Sequence, residues 1–440
     1  MRARTLLTRR GAHHGTDLKT KIYATLSLLI SLPVFIEGYL RSSGNATLWI
    51  CWIIVLLMLW SSWPAWRSLR LRQATVVLTG LVILNLFVSP IMAVVNGPPS
   101  PTLEPNLRQE IHFIGDAAPG IEGPQRITTN ERGHRTNGPI DYEHKPADVL
   151  RIAAIGASTT EESKLDDRKT WTFRLAERLA KQTGRKVEIV NSALSGVRAE
   201  QNYYALRESE AYAADIALFI LGGNDWDYAI SLATASPFYR FMLKFKPFGF
   251  GDSVLFKAAK TAERTIREIL RRRHGPPAYQ VIEDDGSFYL PSKDSLSRPR
   301  IKRFRPEAVD PQYAYWVQRI FAECHRRGMV CVFGDQPSAY VASVEPELKK
   351  RFWMTPPFAD YTIPLEDMVR LAGLYNTWLA KAVHDSGLPF CALAANIPPT
   401  TEFLVDDVHL TEKGSNRIAD LMEDCLSATG APAVSAHYTH

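Results

Sequence analysis

With 440 residues the chain is too long for one small domain and suits a membrane segment followed by one large domain. Its 52 basic and 46 acidic residues leave a formal net charge of +6. That is too modest to require nucleic acid, and no DNA- or RNA-binding module is visible.

Residues 1–22 form a basic leader containing Arg2, Arg4, Arg9, Arg10, Lys19 and Lys21. Three apolar runs follow within 23–95: YATLSLLISLPVFIEGYL from Tyr23, TLWICWIIVLLMLWSSW from Thr47 and TVVLTGLVILNLFVSPIMAVV from Thr75. Each is close to the roughly 20 residues that cross a hydrocarbon core. None carries the polar face of a soluble amphipathic helix. Trp49, Trp52, Trp60, Trp63 and Trp66 cluster at the ends of the second run, where indoles favour the interface. Three transmembrane helices are expected.

Charge sets their orientation. Arg67, Arg70 and Arg72 lie between the second and third runs, only Arg41 lies between the first and second, and no basic residue follows the third until Arg108. Positive loops stay in the cytoplasm, so everything after Val95 is expected outside a cytoplasmic (inner) membrane, on its periplasmic or extracellular side. A cleaved signal peptide is the competing reading of the first run; the leader is long for that and no small-x-small site follows.

Residues 96–148, rich in Pro, Gly, Asn and charge, read as a linker and a small preface. The main domain is expected over 149–430, with a tail at 431–440. LRIAAIG reads as a first strand, KTWTFRLAERLAKQTG as a helix stopped by Gly184, and KVEIVNSA as a second strand. VRAEQNYYALRESEAYA is helical and ADIALFILGGND a third strand. PQYAYWVQRIFAECHRRG is a helix and MVCVFGD a fourth strand. PLEDMVRLAGLYNTWLAKAVHDSG is a helix, PFCALA a fifth strand, and TEKGSNRIADLMEDCLSAT a closing helix. This alternation predicts an α/β fold, a five-stranded parallel sheet between two helix layers. Active sites in such folds lie beyond the carboxyl ends of the strands.

Two insertions interrupt the rhythm, at about 228–310 and 338–363. The first interleaves aromatic and basic residues (SPFYRFMLKFKPFGFG, REILRRRHG). It reads either as a lid or membrane-interface surface, or as a solvated basic helix with ordinary packing aromatics. Of five cysteines, Cys51 falls in the second run. Cys324, Cys331, Cys391 and Cys425 fall in the outer domain, where disulfides can form. Cys331 and Cys391 sit in apolar strand-like runs and read as buried small hydrophobes. A bridge among the four is left open, and no spacing suggests a metal site.

The stretch IAAIGASTTEES, from Ile152, ends its apolar run on Gly-Ala-Ser. A serine there either caps the next helix or is presented as a nucleophile. A nucleophilic serine needs a base, an orienting carboxylate and oxyanion donors. FLVDDVHLTEKG offers Asp406 and His409, three apart, so that the carboxylate can fix the imidazole tautomer. Gly196 in NSALSG can offer a backbone N–H, and Asn224 in LGGND its amide.

The four blocks GASTT, ALSG, GGND and DDVHL, in that order, resemble those of the SGNH hydrolases, the GDSL-like lipase/acylhydrolases, over about Arg151 to Leu426. The resemblance implies a flavodoxin-like three-layer fold. It implies Ser158 as nucleophile and oxyanion donor, Gly196 and Asn224 as the remaining donors, His409 as base and Asp406 as its orienter, with no metal or cofactor. One departure is Ala157, where the family usually has Asp before the serine. Asp407 beside Asp406 is a second candidate orienter, though the spacing favours Asp406.

The reading that follows is an outward-facing, membrane-anchored serine esterase removing O-acyl groups, acetyl above all, from a cell-envelope glycan or lipid. The alternatives are an O-acyltransferase for an exported polysaccharide, which would need a donor-supplying membrane partner, and an idle glycan-binding scaffold of the same fold.

Overall fold

The computed structural model describes residues 102–115, 117–234, 279–285, 300–352 and 361–430. The basic leader, the three apolar runs, most of the aromatic-basic insertion, part of the second insertion and the tail lie outside the described residues. No helix among the described residues is long and apolar enough to cross a membrane.

The chain enters through β1 (Arg108–Phe113), β2 (Gln125–Thr128) and β3 (Arg135–Thr136). The alternating part begins with β4 (Leu150–Gly156), α1 (Ser158–Glu161), α2 (Trp171–Thr183), β5 (Val187–Asn191), α3 (Ala199–Glu208), β6 (Ile216–Leu221) and α4 (Gly223–Thr234). β7 (Gln280–Asp284) and β8 (Arg300–Ile301) fall in the first insertion. α5 (Pro311–Arg327), β9 (Val330–Asp335), α6 (Pro346–Lys349), β10 (Tyr361–Thr362), α7 (Leu365–Asp385), β11 (Phe390–Cys391) and α8 (Glu412–Ala428) follow.

The main sheet runs β11-β9-β6-β4-β5-β3. Its first five strands are parallel, in the doubly wound order that places the earliest strand, β4, between β5 and β6. The expectation of five strands needs correction: β3 adds a sixth, antiparallel to β5 through Arg135↔Asn191 and Thr136↔Val190. Two residues are too few to show an alternating pattern, so β3 was hidden in the preface. The fifth parallel strand is also shorter than PFCALA suggested. After Cys391 the amides of Leu393 and Ala394 bond the Asp335 carboxylate instead of a strand.

Side-chain alternation explains the two layers. Ala153, Ile155, Ala217, Phe219 and Phe333 point to one face and pack with residues of α3, α5 and α7. Ile152, Ala154, Leu218, Ile220 and Val332 point to the other and pack with α2 and α8. Both faces are covered, which is why these strands read as continuous apolar runs. Helix boundaries follow local chemistry. Thr170, Asp310 and Thr411 cap α2, α5 and α8 through their side chains. Gly184 and Gly328 end α2 and α5 in the left-handed region, where a Cβ is disfavoured.

All four cysteines among the described residues are paired, Cys324 with Cys331 and Cys391 with Cys425. Cys331 and Cys391 are buried, but as half-cystines, which corrects their reading as small hydrophobes. The insertions also carry pairing the sequence did not announce. β7 runs parallel to β1 in a small sheet β2-β1-β7, and β8 pairs with β10 of the second insertion.

Candidate active site

Because β4 lies between β5 and β6, the loops after these three strands are neighbours at one sheet edge, strands being spaced about 4.8 Å apart. Gly156 ends β4 where no other residue fits: a Cβ there would lie 2.3 Å from the Thr160 hydroxyl and 3.1 Å from the Ile220 carbonyl. The chain then turns at once into α1. Its cap is Ala157, which makes no side-chain bond, and Ser158 is the first helical residue. The capping explanation of Ser158 therefore fails. Ser158 is partly exposed, and its hydroxyl makes no hydrogen bond among the described residues.

Gly196 sits in the loop after β5 with φ of +80°, the left-handed region that favours glycine, and its Cβ position faces open space. The Leu194 amide bonds the Gly156 carbonyl at 3.4 Å, tying this loop to the end of β4. Asn224, in the first turn of α4, donates one amide hydrogen to the Val197 carbonyl at 2.9 Å. That bond fixes its rotamer beside the Gly196 loop and leaves the second hydrogen available. Asp225 is buried and accepts from the Ala199 amide, so it caps α3 and holds the far end of the same loop. Burial pushes the Asp225 carboxyl up to about 7, against Arg198 and the Ala199 bond.

Asp406 and His409 meet directly. Asp406 Oδ2 is 2.7 Å from His409 Nδ1, while its Oδ1 accepts the Val408 and His409 amides at 2.9 and 2.8 Å. Asp406 is fully buried. Burial alone would raise its carboxyl, but the imidazole and the two amides outweigh it and hold it below the ordinary value. Burial likewise disfavours the imidazolium, but Asp406 outweighs it and raises His409 above 6.5. Asp407 points elsewhere: its carboxylate accepts from the Tyr340 hydroxyl and its carbonyl from the Ala339 amide at 2.8 Å. It therefore anchors the loop and does not orient His409. Val405, just before the pair, and Leu165, beyond the serine turn, belong to one small buried apolar cluster with Ala118 and Ile121. No hydrogen bond links Ser158 to His409.

Three residues that support this edge were not singled out in the sequence. Glu161, buried in α1, accepts from the Ser195 amide and so ties the serine turn to the Gly196 loop. Gln336, just after β9 and 3% exposed, donates to the Thr159 hydroxyl at 2.9 Å, and its chain lies over Gly223. It joins the serine turn to the Asn224 loop. Arg135 of β3 donates to the Glu161, Glu162 and Leu165 carbonyls at 2.6, 2.8 and 2.8 Å and pins the segment behind Ser158. Glu161 was visible as part of TTEES; the other two come from distant sequence and gave no local signal. Among the described residues no cluster of three His, Cys, Asp or Glu could hold a metal ion.

The family model described as "GDSL-like Lipase/Acylhydrolase family" matches residues 154–417, more than half of the chain. No curated protein matches it. Similar solved structures include a GDSL-like lipase from Bacteroides thetaiotaomicron, 12% identical, covering 63% of this chain and 88% of that one, with a TM-score of 0.32. An esterase from Pseudoalteromonas sp. is 12% identical and covers 63% and 97%, with a TM-score of 0.33. A carbohydrate acetylesterase from Sinorhizobium meliloti is 12% identical and covers 64% and 99%, with a TM-score of 0.33. On the extent of the family match, the chain belongs to the GDSL-like lipase/acylhydrolase family and is a serine hydrolase of ester bonds.

Proposed function

We propose that this chain is a membrane-anchored, outward-facing esterase that removes O-acyl groups, acetyl above all, from a cell-envelope glycan or lipid. Ser158 is the nucleophile, His409 the general base and Asp406 its orienter. The Ser158 and Gly196 amides and the Asn224 side chain form the oxyanion hole. The observation that carries this reading is the 2.7 Å bond between His409 Nδ1 and buried Asp406, in a chain whose first parallel strand of the alternating part ends on a serine committed to no cap.

The chemistry follows from those positions. His409, its Nδ1–H held by Asp406, takes the Ser158 proton as the hydroxyl oxygen attacks the ester carbonyl. The oxyanion is assigned to the Ser158 and Gly196 amides and the second Asn224 amide hydrogen; removal of one such donor costs about 3–4 kcal/mol in the barrier. His409 returns the proton to the leaving alcohol, water attacks the acyl-serine, and the free acid departs. The outward side is supported by the positive-inside charge pattern and by two cystines, which persist in oxidising compartments.

The test is turnover of p-nitrophenyl acetate, butyrate and a longer ester by the purified full-length chain in detergent. Wild type is expected to act best on acetate, with activity lost in Ser158→Ala and His409→Ala. A wild type that is inactive and whose Ser158 is not labelled by a fluorophosphonate would overturn the assignment. With an acetylated glycan, release of free acetate identifies hydrolysis; acetyl appearing on a second glycan would identify transfer instead.

A further inference from the structure

Away from the sheet edge, one side of α7 and the turn before α5 frame an open groove of ≈ 430 Å³. Gly373, Thr377, Trp378 and Lys381 line it from the helix, Arg370 stands a turn before Gly373, and Glu307 faces them. The groove does not include any residue of the candidate active site.

One feature is unexplained by folding, and two more bear on what the groove could hold. Gly373 lies inside a 21-residue helix, where glycine costs about 1 kcal/mol relative to alanine. A Cβ on it would meet nothing within 4 Å, so neither packing nor φ requires glycine there. What a missing side chain does provide is close approach to the backbone. Trp378 rests against Tyr313, with ring centroids 5.4 Å apart, while its remaining surface lines the groove. Among the described residues its indole N–H has no acceptor. Arg370 is exposed and has no carboxylate partner among the described residues; Lys381, by contrast, is paired with Asp385 at 2.5 Å.

We infer that this groove binds a pyranoside bearing a carboxylate, as one unit of an acidic polysaccharide. The negative face of the indole suits the C–H face of a sugar ring. The absent side chain at residue 373 lets the ring settle against the helix. The planar guanidinium of Arg370 takes the carboxylate through two hydrogen bonds, and Glu307 accepts from hydroxyls. The site holds the polymer at a distance from Ser158. This rests on the glycan part of the function proposed above, but not on its chemistry.

The test uses polygalacturonate, which carries no ester, and dextran as a neutral comparator, with the full-length chain in affinity electrophoresis and calorimetry. Wild type is expected to bind polygalacturonate and to bind dextran more weakly. Gly373→Phe, which fills the groove, and Arg370→Glu are each expected to weaken polygalacturonate binding by about tenfold or more, with p-nitrophenyl acetate turnover and the melting midpoint retained. No binding by wild type, or equal binding by wild type and Gly373→Phe, would overturn the inference. Because binding is read on unesterified polymer, failure here leaves ester turnover intact, whereas failure of the esterase reading removes turnover and leaves binding.

Discussion

Asp406 and His409 titrate as a pair, and their geometry sets the acid side of the rate profile. The base must be neutral to accept the Ser158 proton. Asp406 raises the imidazole above 6.5, so kcat/KM is expected to fall on the acid side with a midpoint above pH 6.5. In Asp406→Asn the stabilising charge is gone. The midpoint should move to lower pH, and kcat should drop by roughly 10⁴-fold because the tautomer is no longer fixed. A pH–rate series on p-nitrophenyl acetate reads both; an unmoved midpoint would exclude Asp406 as the group that perturbs His409. Gln336 makes a different prediction, since it touches no reacting atom. Gln336→Leu keeps the chain over Gly223 but loses the bond to Thr159. A small displacement of the serine turn against the Asn224 loop should cost kcat up to roughly 10²-fold, with KM little changed. Equal losses in Gln336→Leu for chemistry and for melting would instead mark a purely structural contact.

At the scale of elements, the loops of the site are held by strands and helices whose sequence signals differ greatly in strength. β4, β5, β6 and β9 could be read because each is a buried apolar run ended by a turn. α2, α5 and α8 could be read because caps and apolar spacing agree, and α7 from its apolar spacing alone. β3 could not: two residues have no periodicity, and its value lies in the three carbonyls that Arg135 reaches. The cystines could not be read either, because four cysteines allow three pairings and spacing does not choose among them. They divide the work unequally. Cys391–Cys425 closes a separation of 34 residues and ties β11 to α8, the helix that follows His409. Cys324–Cys331 closes only 7. Loop-closure entropy then gives about 4 kcal/mol for the first and about 2 for the second. Replacing each pair by alanines and comparing urea unfolding should show the larger loss for Cys391–Cys425. The reverse order would mean that the unfolded chain is not what these bonds constrain.

For the molecule as a whole, buried groups that titrate between about pH 4 and pH 8 shape how stability follows pH over that range. Burial pushes Glu162 up to about 8 and Asp225 up to about 7. In the unfolded chain both ionise near the ordinary carboxylate range, so between about pH 4.5 and their folded values the native state holds more protons than the unfolded one. Stability therefore falls as pH rises through that window, by about 1.4 kcal/mol per pH unit for each group at full effect. His409, raised above 6.5, acts in the same direction. His134 opposes them: burial lowers it to about 4, so its share rises with pH from about 4 to 6.5 and is then constant. Above 6.5 nothing in this set offsets the buried acids. The melting midpoint is thus expected to decline from pH 6.5 to pH 8. Glu162→Gln should flatten that decline, because an amide can still accept the Trp171 amide hydrogen that Glu162 Oε2 accepts at 2.8 Å without binding a proton in this range. Calorimetry of both proteins across pH 5–9 checks the sign. Parallel profiles would show that Glu162 is already ionised in the folded chain, and that the buried acid next to the serine turn is held charged by its surroundings.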